Sequence, residues 1–598
     1  MRSTKAPSAA ILIALALGIG LCLGVGAGVG LVLRSSAPLV SVFPIPGGRV
    51  AAPQTQITFR GVPRREIGRV VVTGSRSGRH SGRLEADSDG QGASFLPAKP
   101  FTPGEVVTVR TSLPIRGVRG GTFQFRVATP AGAIPAMPLA PAARLPGDEL
   151  TFESRPDLTP ASIEITKRSA KAAPGDIFVT PQQGPTQNGA EILDSSGNLV
   201  WFHPVPAGDM AADLQVQRYH GEPVLTWWQG YSGAGIGEGE DVIDDSSYRQ
   251  IAVVRAGNGL YADLHDFRLT PQGTALITAY YPVYWDASPV GGAKRQIVLD
   301  SVVQEIDIKT GLVLFQWDSL DHVPLSRSYE QMPQSAGAPF DYFHVNSVQQ
   351  VRDGDLIVSA RNTSAAYEID PRTSKTVWTL GGKRSTFKLG TGVKFAFQHD
   401  VRVHAKGDPT VTLFDDGGGP PRVHRQSRAI RVRIDGKQKT ATLVAQDVHS
   451  PALAASFEGN VQDLRGGDEF VGWGQQPYFT EYDRSGQVVF DARFVGNNSS
   501  YRAYRFQWTG TPAAPPDIAA SAAGANTTVY ASWNGATGVA SWRVLAGATP
   551  NQLRPVSTAA KQGFETQIEV PAAGYVAVQA LGARGRTLGT SKVVQPTP

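Results

Sequence analysis

Apolar and polar positions alternate in short runs along most of the chain, and between about residues 145 and 510 these runs return to two phrases. The first occurs as EILDSSGNLVWF from Glu191, EIDIKTGLVLFQW from Glu305, EIDPRTSKTVWTL from Glu368 and EYDRSGQVVFDARF from Glu481. Alternating positions, a turn carrying Gly or Ser and an aromatic-rich return predict a β-hairpin in each. Weaker copies start at Gln250 (QIAVVRAGNGLYADL) and Ala429 (AIRVRIDGKQKTATLV). The second phrase is a turn glycine followed by a continuous apolar run: GEPVLTWW from Gly221, GTALITAY from Gly273, GDLIVSAR from Gly354, GDPTVTLF from Gly407 and GDEFVGWG from Gly467. Such a run predicts a strand covered on both faces. The period of roughly 50 to 60 residues holds four strands and their loops. Six such sheets close radially into a β-propeller, or five or seven if a weak copy is misplaced.

On either side of the repeats the alternation continues without the period. Residues 38–130, with VVVTGS and PGEVVTVRTSLP between Pro-Gly turns, predict an Ig-like β-sandwich. Residues 131–150 are rich in Ala and Pro, lack periodicity and read as a linker. The repeats occupy 151–510. After the Pro-rich hinge TPAAPPD, residues 511–598 resemble the central and C-terminal strands of a fibronectin type III module, with Trp533 and Tyr575 as expected core residues. The predicted class is all-β: a six-bladed β-propeller between two sandwiches.

One segment is helical by the same reasoning. Residues 9–33 run 25 positions without a charge, enough to span a bilayer with some tilt. Arg2 and Lys5 precede the run and only Arg34 closely follows it, which places the short N-terminus in the cytoplasm and the bulk outside. Residues 1–37 therefore predict a single-pass anchor in the cell membrane, with a cleaved signal peptide ending near Ser35–Ser36–Ala37 as the competing reading. The one cysteine, Cys22, lies in this stretch, so the remainder holds no disulfide, and Leu21 before it fits a lipoprotein signal poorly.

Composition narrows the function. Gly 66 and Pro 43 suit many short strands and turns. The net charge of +6 is spread over 598 residues with no Lys/Arg block able to neutralise a phosphate backbone, which excludes nucleic acid as a partner. The acidic stretch GEGEDVIDD, residues 237–245, lacks the regular oxygen spacing of a calcium loop and reads as a solvated loop.

Candidate chemistry comes from aligning the second phrase on its glycine. HDFRLTPQG from His265, HVNSVQQVRDG from His344 and HDVRVHAKG from His399 place a histidine at the head of the same strand in three repeats. In a propeller that strand lines the central channel, so three imidazoles converge at one end of it. Asn346 follows His344, and Arg361 closes the strand after it, where a guanidinium suits a tetrahedral oxyanion. Three imidazoles also match a zinc site with an open position, but a guanidinium aimed at the same point repels a dication. Tyr342, Phe343 and Trp227 or Trp228 are candidates to flank an aryl ring, with packing inside the sheets as the competing role.

The ordered series DYFHVNSV, LIVSARN, YEID, VWTLGG, FQHDVR and TLFDDG, together with GEPVLTWWQG, DLHDFRLTPQGTALIT and SYRAYRFQWTG, resembles the arylsulfotransferase family. These are PAPS-independent aryl sulfate sulfotransferases, and the actinobacterial and fungal branch is the nearest in pattern. The resemblance covers roughly residues 150–510. It implies a six-bladed propeller that moves a sulfuryl group from an aryl sulfate to a phenolic acceptor through a sulfated histidine, with no cofactor or metal. By motif position it implies His399 as the nucleophile, with His265, His344, Asn346 and Arg361 holding the sulfate and handling protons. The disulfide of some members has no counterpart here. The competing expectation is a non-enzymatic, membrane-anchored scaffold or adhesion protein of the cell envelope.

Overall fold

The computed structural model describes residues 39–132, 143–233, 235–404 and 410–598. The expected anchor, residues 1–37, and much of the expected linker lie outside them. Among the described residues no helix is long and apolar enough to cross a membrane.

The fold is all-β, with a few helical turns of three or four residues. Six sheets, antiparallel apart from the two-residue strand Lys388–Leu389, follow one another along the repeats. Five begin at an edge strand, in turn Met210–Tyr219, Phe267–Leu269, Val345–Gln350, His399–His404 and Asn460–Asp463, and add the next three strands in chain order. The sixth is assembled from both ends of the repeats. Asp176–Gln182, Gly189–Leu193 and Leu199–Pro204 come first in the chain, and their fourth strand, Ser499–Phe506, arrives more than 290 positions later to pair with Asp176–Gln182. Ile163–Arg168 meanwhile adds to the far edge of the Asn460 sheet, beside Val488–Phe494. The two ends of the repeat region are thus tied to its opposite sheets by backbone ladders.

The hairpins expected from Glu191, Glu305, Glu368, Glu481 and Ala429 are hairpins in the structure. The copy at Gln250 is displaced. Gln250–Val254 is a returning strand, and its partner is Ile236–Asp244, the acidic stretch expected as a solvated loop. Asp241 and Asp244 are buried there, so acidic composition concealed a strand paired along its whole length with Leu225–Gly233 and, over residues 241–244, with Gln250–Val254. The second phrase also has a sixth copy that the alignment passed over, GDIFVTPQ from Gly175, which forms Asp176–Gln182.

The six edge strands beginning at Met210, Phe267, Val345, His399, Asn460 and Ser499 meet in one buried polar network. Arg502 donates to Asp213 at 3.0 Å, to Asp266 at 2.8 Å and to the carbonyl of Asn346 at 2.9 Å. Arg402 donates to both oxygens of Asp266 at 3.0 Å, to Asp400 and to the carbonyl of Val348. Asp400 accepts from the N–H of Val461, and Arg268 donates to Asp266. Three carboxyl groups thus face three guanidiniums. Burial opposes ionisation of Asp266 and Asp400, yet Arg402, Arg502 and Arg268 outweigh it and hold both carboxyls below their ordinary range. The H-D-x-R motif supplies Asp266 with Arg268 and Asp400 with Arg402.

Before and after the repeats, paired sheets enclose cores of their own. In residues 41–126 Phe59, Phe95, Val109 and Phe125 fill the space between two four-stranded sheets. This unit is fastened to the repeats by Gln56, whose amide donates to the carbonyl of Val313 at 2.8 Å, and by Ser88, which donates to Asp307. In residues 517–590 a three-stranded and a four-stranded sheet enclose Trp542, Trp533 and Val544. Trp533 is in this core as expected; Tyr575 is only half-buried, and the fully buried Trp542 fills the centre instead.

Arg502→Met should lower folding stability by about 3–5 kcal/mol, because it leaves Asp213 and Asp266 undercompensated in a buried setting. Urea denaturation followed by fluorescence checks this, and a loss within about 1 kcal/mol would show that the network contributes little to stability.

Candidate functional site

The histidines sit where the edge strands begin, and the backbone there is irregular. The register slips between Val345 and Ser347 and between His399 and Arg402, as it does between Ala212 and Gln215. Asp213, His344 and Asp400 hold φ of 58°, 57° and 52°, left-handed values that favour glycine and that a side chain adopts only when its surroundings enforce them. Each slip breaks the simple alternation of a strand. Next to each other in sequence, His399 turns to Asp416 and Glu458 while Asp400 joins the charge network. His344 stands two residues farther from Gly354 than His265 and His399 stand from Gly273 and Gly407. Its left-handed backbone accompanies an edge-on approach of its ring to His265, with centroids 4.8 Å apart.

Each imidazole is gripped at Nδ1 by a carboxylate. His265 pairs with Asp263 at 2.5 Å, His399 with Asp416 at 2.8 Å, and His344 with Asp341. Asp263 is itself fixed by the N–H of Gly237 at 2.6 Å and the hydroxyl of Thr278. At His399 the tautomer follows from the second nitrogen, since Nε2 accepts the N–H of Glu458 at 3.2 Å. Nε2 therefore carries the lone pair, and the ring proton lies on Nδ1 toward Asp416. Burial, reinforced by Arg361, His344 and His265, holds His399 well below the usual histidine range, so the ring is neutral. Burial also lowers His344, against the pull of Asp341.

Arg361 opens the short turn Arg361–Thr363 after the strand Leu356–Ala360. Its guanidinium lies over the Phe397 ring, 4.4 Å from the centroid, and donates to Asn362 at 2.7 Å and to the carbonyl of Ser456 at 3.1 Å. Glu330 lies 3.6 Å away. Its Nε is buried and has no partner. Asn346 is fully buried, and its amide donates to the carbonyl of Gln398, next to His399, at 2.7 Å. Asn346 Oδ1 is a buried acceptor without a donor. Among the described residues the site thus offers one unused charged donor, one unused acceptor and an imidazole nitrogen whose lone pair is met by a single backbone N–H.

Of the six residues expected at the site, His265 and His344 are in ring contact, while His399 and Arg361 are joined through the loop 456–458, which touches both. Asn346 is linked to them through Gln398. Tyr342 is different: its hydroxyl donates to the carbonyl of Val323 at 3.1 Å and its ring packs on Phe340 and Phe343, so its contacts are those of the core. Phe343 packs on Trp317 and Tyr367, Trp227 on Trp201, and Trp228 donates to the carbonyl of Ala262. The rings beside the histidines are Tyr280, at 5.9 Å from His265 and 5.8 Å from His344, and Tyr501, at 5.5 Å from His265. The metal-binding geometry is elsewhere: among the described residues Asp353, Asp355 and Glu368 bring three ligand atoms within 4.8 Å, and the histidines do not.

Sequence reasoning passed over the three carboxylate partners, although Asp263 and Asp341 stand within three positions of their histidines and Asp416 lies in the quoted TLFDDG. It also passed over Glu458, which no motif marks. Glu458 sits at φ of 72°, and its side chain accepts the amide of Gln182 at 2.8 Å. Burial pushes its carboxyl up to about 8, only partly offset by Gln182. Its Oε2 and Gln182 Oε1 are buried acceptors without donors.

What these features define is a repeated-sheet β-protein whose edge strands gather imidazoles held by Asp263, Asp341 and Asp416, with a guanidinium joined to one of them through the loop 456–458. Residues 215–495 match the model of the arylsulfotransferase (ASST) family. A search of the curated proteins finds no match to the chain. Solved structures are similar only at a distance. A protein of unknown function from Bacteroides caccae shares 14% identity, with 55% of this chain and 98% of that one covered at a TM-score of 0.34. The periplasmic gluconolactonase of Pseudomonas aeruginosa shares 13%, covering 71% and 96% at 0.31. The virginiamycin B lyase of Staphylococcus aureus shares 10%, covering 61% and 95% at 0.27. Likeness this remote carries nothing about activity.

The tautomer assignment predicts that His399 keeps an unprotonated Nε2 at about pH 6, where an ordinary histidine is largely charged. Nitrogen-15 NMR of imidazole-labelled protein, assigned with a His399→Gln variant, checks this; a His399 signal moving to the imidazolium position near that pH would contradict it.

Proposed function

We propose that the chain is an aryl sulfate sulfotransferase that works by two displacements through a sulfated His399, without PAPS or a metal. The observation that carries the reading is the clamp on His399, a neutral ring whose Nε2 lone pair faces the N–H of Glu458, joined through the loop 456–458 to Arg361, whose buried Nε has no partner among the described residues. In the first step Nε2 attacks the sulfur of an aryl sulfate, the N–S bond forms, and the S–O bond breaks with its electron pair going to the phenolate oxygen. The ring becomes cationic, and Asp416 at Nδ1 offsets that charge. Arg361 Nε offers a hydrogen bond to a sulfuryl oxygen, where charge gathers in a loose transition state. His265, held at Nδ1 by Asp263, is the imidazole placed to give a proton to the phenolate. In the second step the same imidazole takes the proton of a phenolic acceptor, the new S–O bond forms, and the N–S pair returns to His399. Asn346 Oδ1 is suited to receive the acceptor's hydroxyl before transfer.

The same reading treats the six sheets of residues 151–510 as the blades of a six-bladed propeller, with the histidines at one mouth of its channel. It treats residues 38–130 and 511–598 as sandwich domains of Ig-like and fibronectin type III-like order, and 131–150 as the linker. For the latter sandwich the support is the division of seven strands into a sheet of three and a sheet of four. The proposal that residues 1–37 anchor the chain in the cell membrane, with its bulk outside, rests on their sequence.

His399→Ala should lower sulfuryl transfer from a nitrophenyl sulfate to phenol by at least about a thousandfold, and Arg361→Ala by about a hundredfold. Wild-type protein mixed with donor alone should release one equivalent of nitrophenol in a burst and gain a sulfuryl group on His399, read by peptide mass. Full turnover by the His399→Ala protein would end the proposal.

Glu458 adds a pH dependence. Its carboxyl is neutral below about 8 and anionic above it, facing Gln182 and Asp416 near the loop that holds His399 and Arg361. A new negative charge there opposes an anionic substrate, so kcat/KM of the wild type should fall as pH rises through about 8. Glu458→Gln should keep its activity across that range; the same decline in both proteins would clear Glu458 of the effect.

A further inference from the structure

A cavity of about 220 Å³ lies beside the turn that carries Arg361. Its wall includes Arg327, Lys383, Arg384, Thr363, Thr376 and Thr379, and no Asp or Glu. The guanidiniums of Arg327 and Arg384 make no ion pair or side-chain hydrogen bond among the described residues. Lys383 is held by the backbone carbonyls of Ser326 and Ser328 and by the Tyr329 ring, 4.9 Å from its Nζ, so its charge too has no carboxylate. His322, also on the wall, is pushed down to about 4 by burial and by Arg49, and adds no charge. Thr363 is locked by the hydroxyl of Tyr367 at 3.0 Å.

Three cations around one hollow repel one another, and unlike the charge network of the edge strands they have no counter-charges built in. Other arginine clusters in this protein are paired, as Arg60 with Asp87 and Asp89 and Arg431 with Asp463 and Glu469. The hollow is smaller than the roughly 300–1,000 Å³ that drug-sized ligands occupy, which limits it to a small ligand or one substituent of a larger one. Guanidinium, ammonium and hydroxyl donors without a carboxylate among them match a tetrahedral oxyanion.

We propose that the cavity between Arg327, Lys383 and Arg384 is a second oxyanion site, taking a phosphate or sulfate group either as the free ion or as a second anionic substituent of a substrate held at His399. Free-ion binding here does not depend on the transfer chemistry of His399, so it stands or falls separately from the function proposed above.

The test is isothermal titration of inorganic phosphate into the full chain at constant ionic strength. The proteins compared are wild type, Arg384→Ala, the Arg327→Ala/Arg384→Ala double variant and His399→Ala. The double variant should bind phosphate at least about tenfold more weakly at one site, with Arg384→Ala intermediate and His399→Ala retaining that site. Arg384 is exposed, so its single variant reports even where the double variant does not fold. A second arm measures KM for aryl sulfates with and without a phosphate on the ring. A rise in KM confined to the phosphate-bearing donor, with inorganic phosphate binding unchanged, assigns the site to a substrate substituent, and weakened inorganic phosphate binding assigns it to the free ion. Unchanged phosphate affinity together with an unchanged KM ratio overturns the proposal.

Discussion

Six strands from six separate sheets come together through a set of buried carboxyls and guanidiniums, and the position of everything at the site depends on that meeting. Asp266 alone receives Arg402, Arg502 and Arg268 and also the N–H of Val348, so one carboxyl ties together strands more than 200 residues apart in sequence. A buried ion pair is a poor source of net stability, because desolvation consumes much of its attraction. Its directional demand is another matter. A planar guanidinium bonded to two carboxyls and a carbonyl tolerates little rotation, so Arg502 fixes the relative orientation of the strands it joins. Apolar packing of the sheet faces supplies cohesion, and the polar centre supplies register.

That division explains why the histidines stand where they do. His265 and His399 immediately precede Asp266 and Asp400, and the residue that follows each histidine is part of the charge network. An imidazole one peptide from an immobilised carboxyl inherits its placement to within the freedom of its own side-chain torsions. The carboxylates at Nδ1 then remove most of that freedom. The outcome is a preorganised set of rings on strand heads, where activation requires no further ordering.

Much of this arrangement was legible in the sequence. The hairpin phrases gave five of the six hairpins, because their alternation, turn residues and aromatic ends agree with one another. The sixth escaped since Ile236–Asp244 carries Gly and acidic residues where the other copies carry apolar ones, and its burial of Asp241 and Asp244 is a tertiary effect that no local pattern announces. The registration of His265 and His399 was visible from the turn glycines, whereas His344 stands two residues farther from Gly354. The carboxylate at each Nδ1 was not, because Asp416 reaches His399 from the neighbouring strand and its sequence separation reflects sheet geometry. Tyr342 was drawn toward the site by its nearness to His344, but side chains three positions or fewer apart point in different directions once the strand ends and the backbone turns left-handed at His344. Glu458 had no signal at all: a lone glutamate in a loop becomes distinctive only when its backbone N–H meets His399 and its carboxyl is buried.

The charge at the site bears on which substrates it can hold. With His399 and His344 kept neutral by burial, Arg361 is the fixed cation, and Glu330 at 3.6 Å already answers part of its charge. A site of this kind matches a monoanionic sulfuryl ester better than a phosphoryl ester, whose second negative charge would need another cation. Neutral imidazole is also the form that attacks without first losing a proton, so in the mechanism we propose the burial that weakens the site's hold on a dianion keeps His399 in its attacking form. Under the proposed mechanism, burial of His399 and His344 therefore serves selectivity and reactivity through one physical cause. If the pocket at Arg327 and Arg384 does take a second anion, the protein handles double charge by separating it, with one anionic group at a weakly cationic reactive centre and another at a strongly cationic, unreactive one.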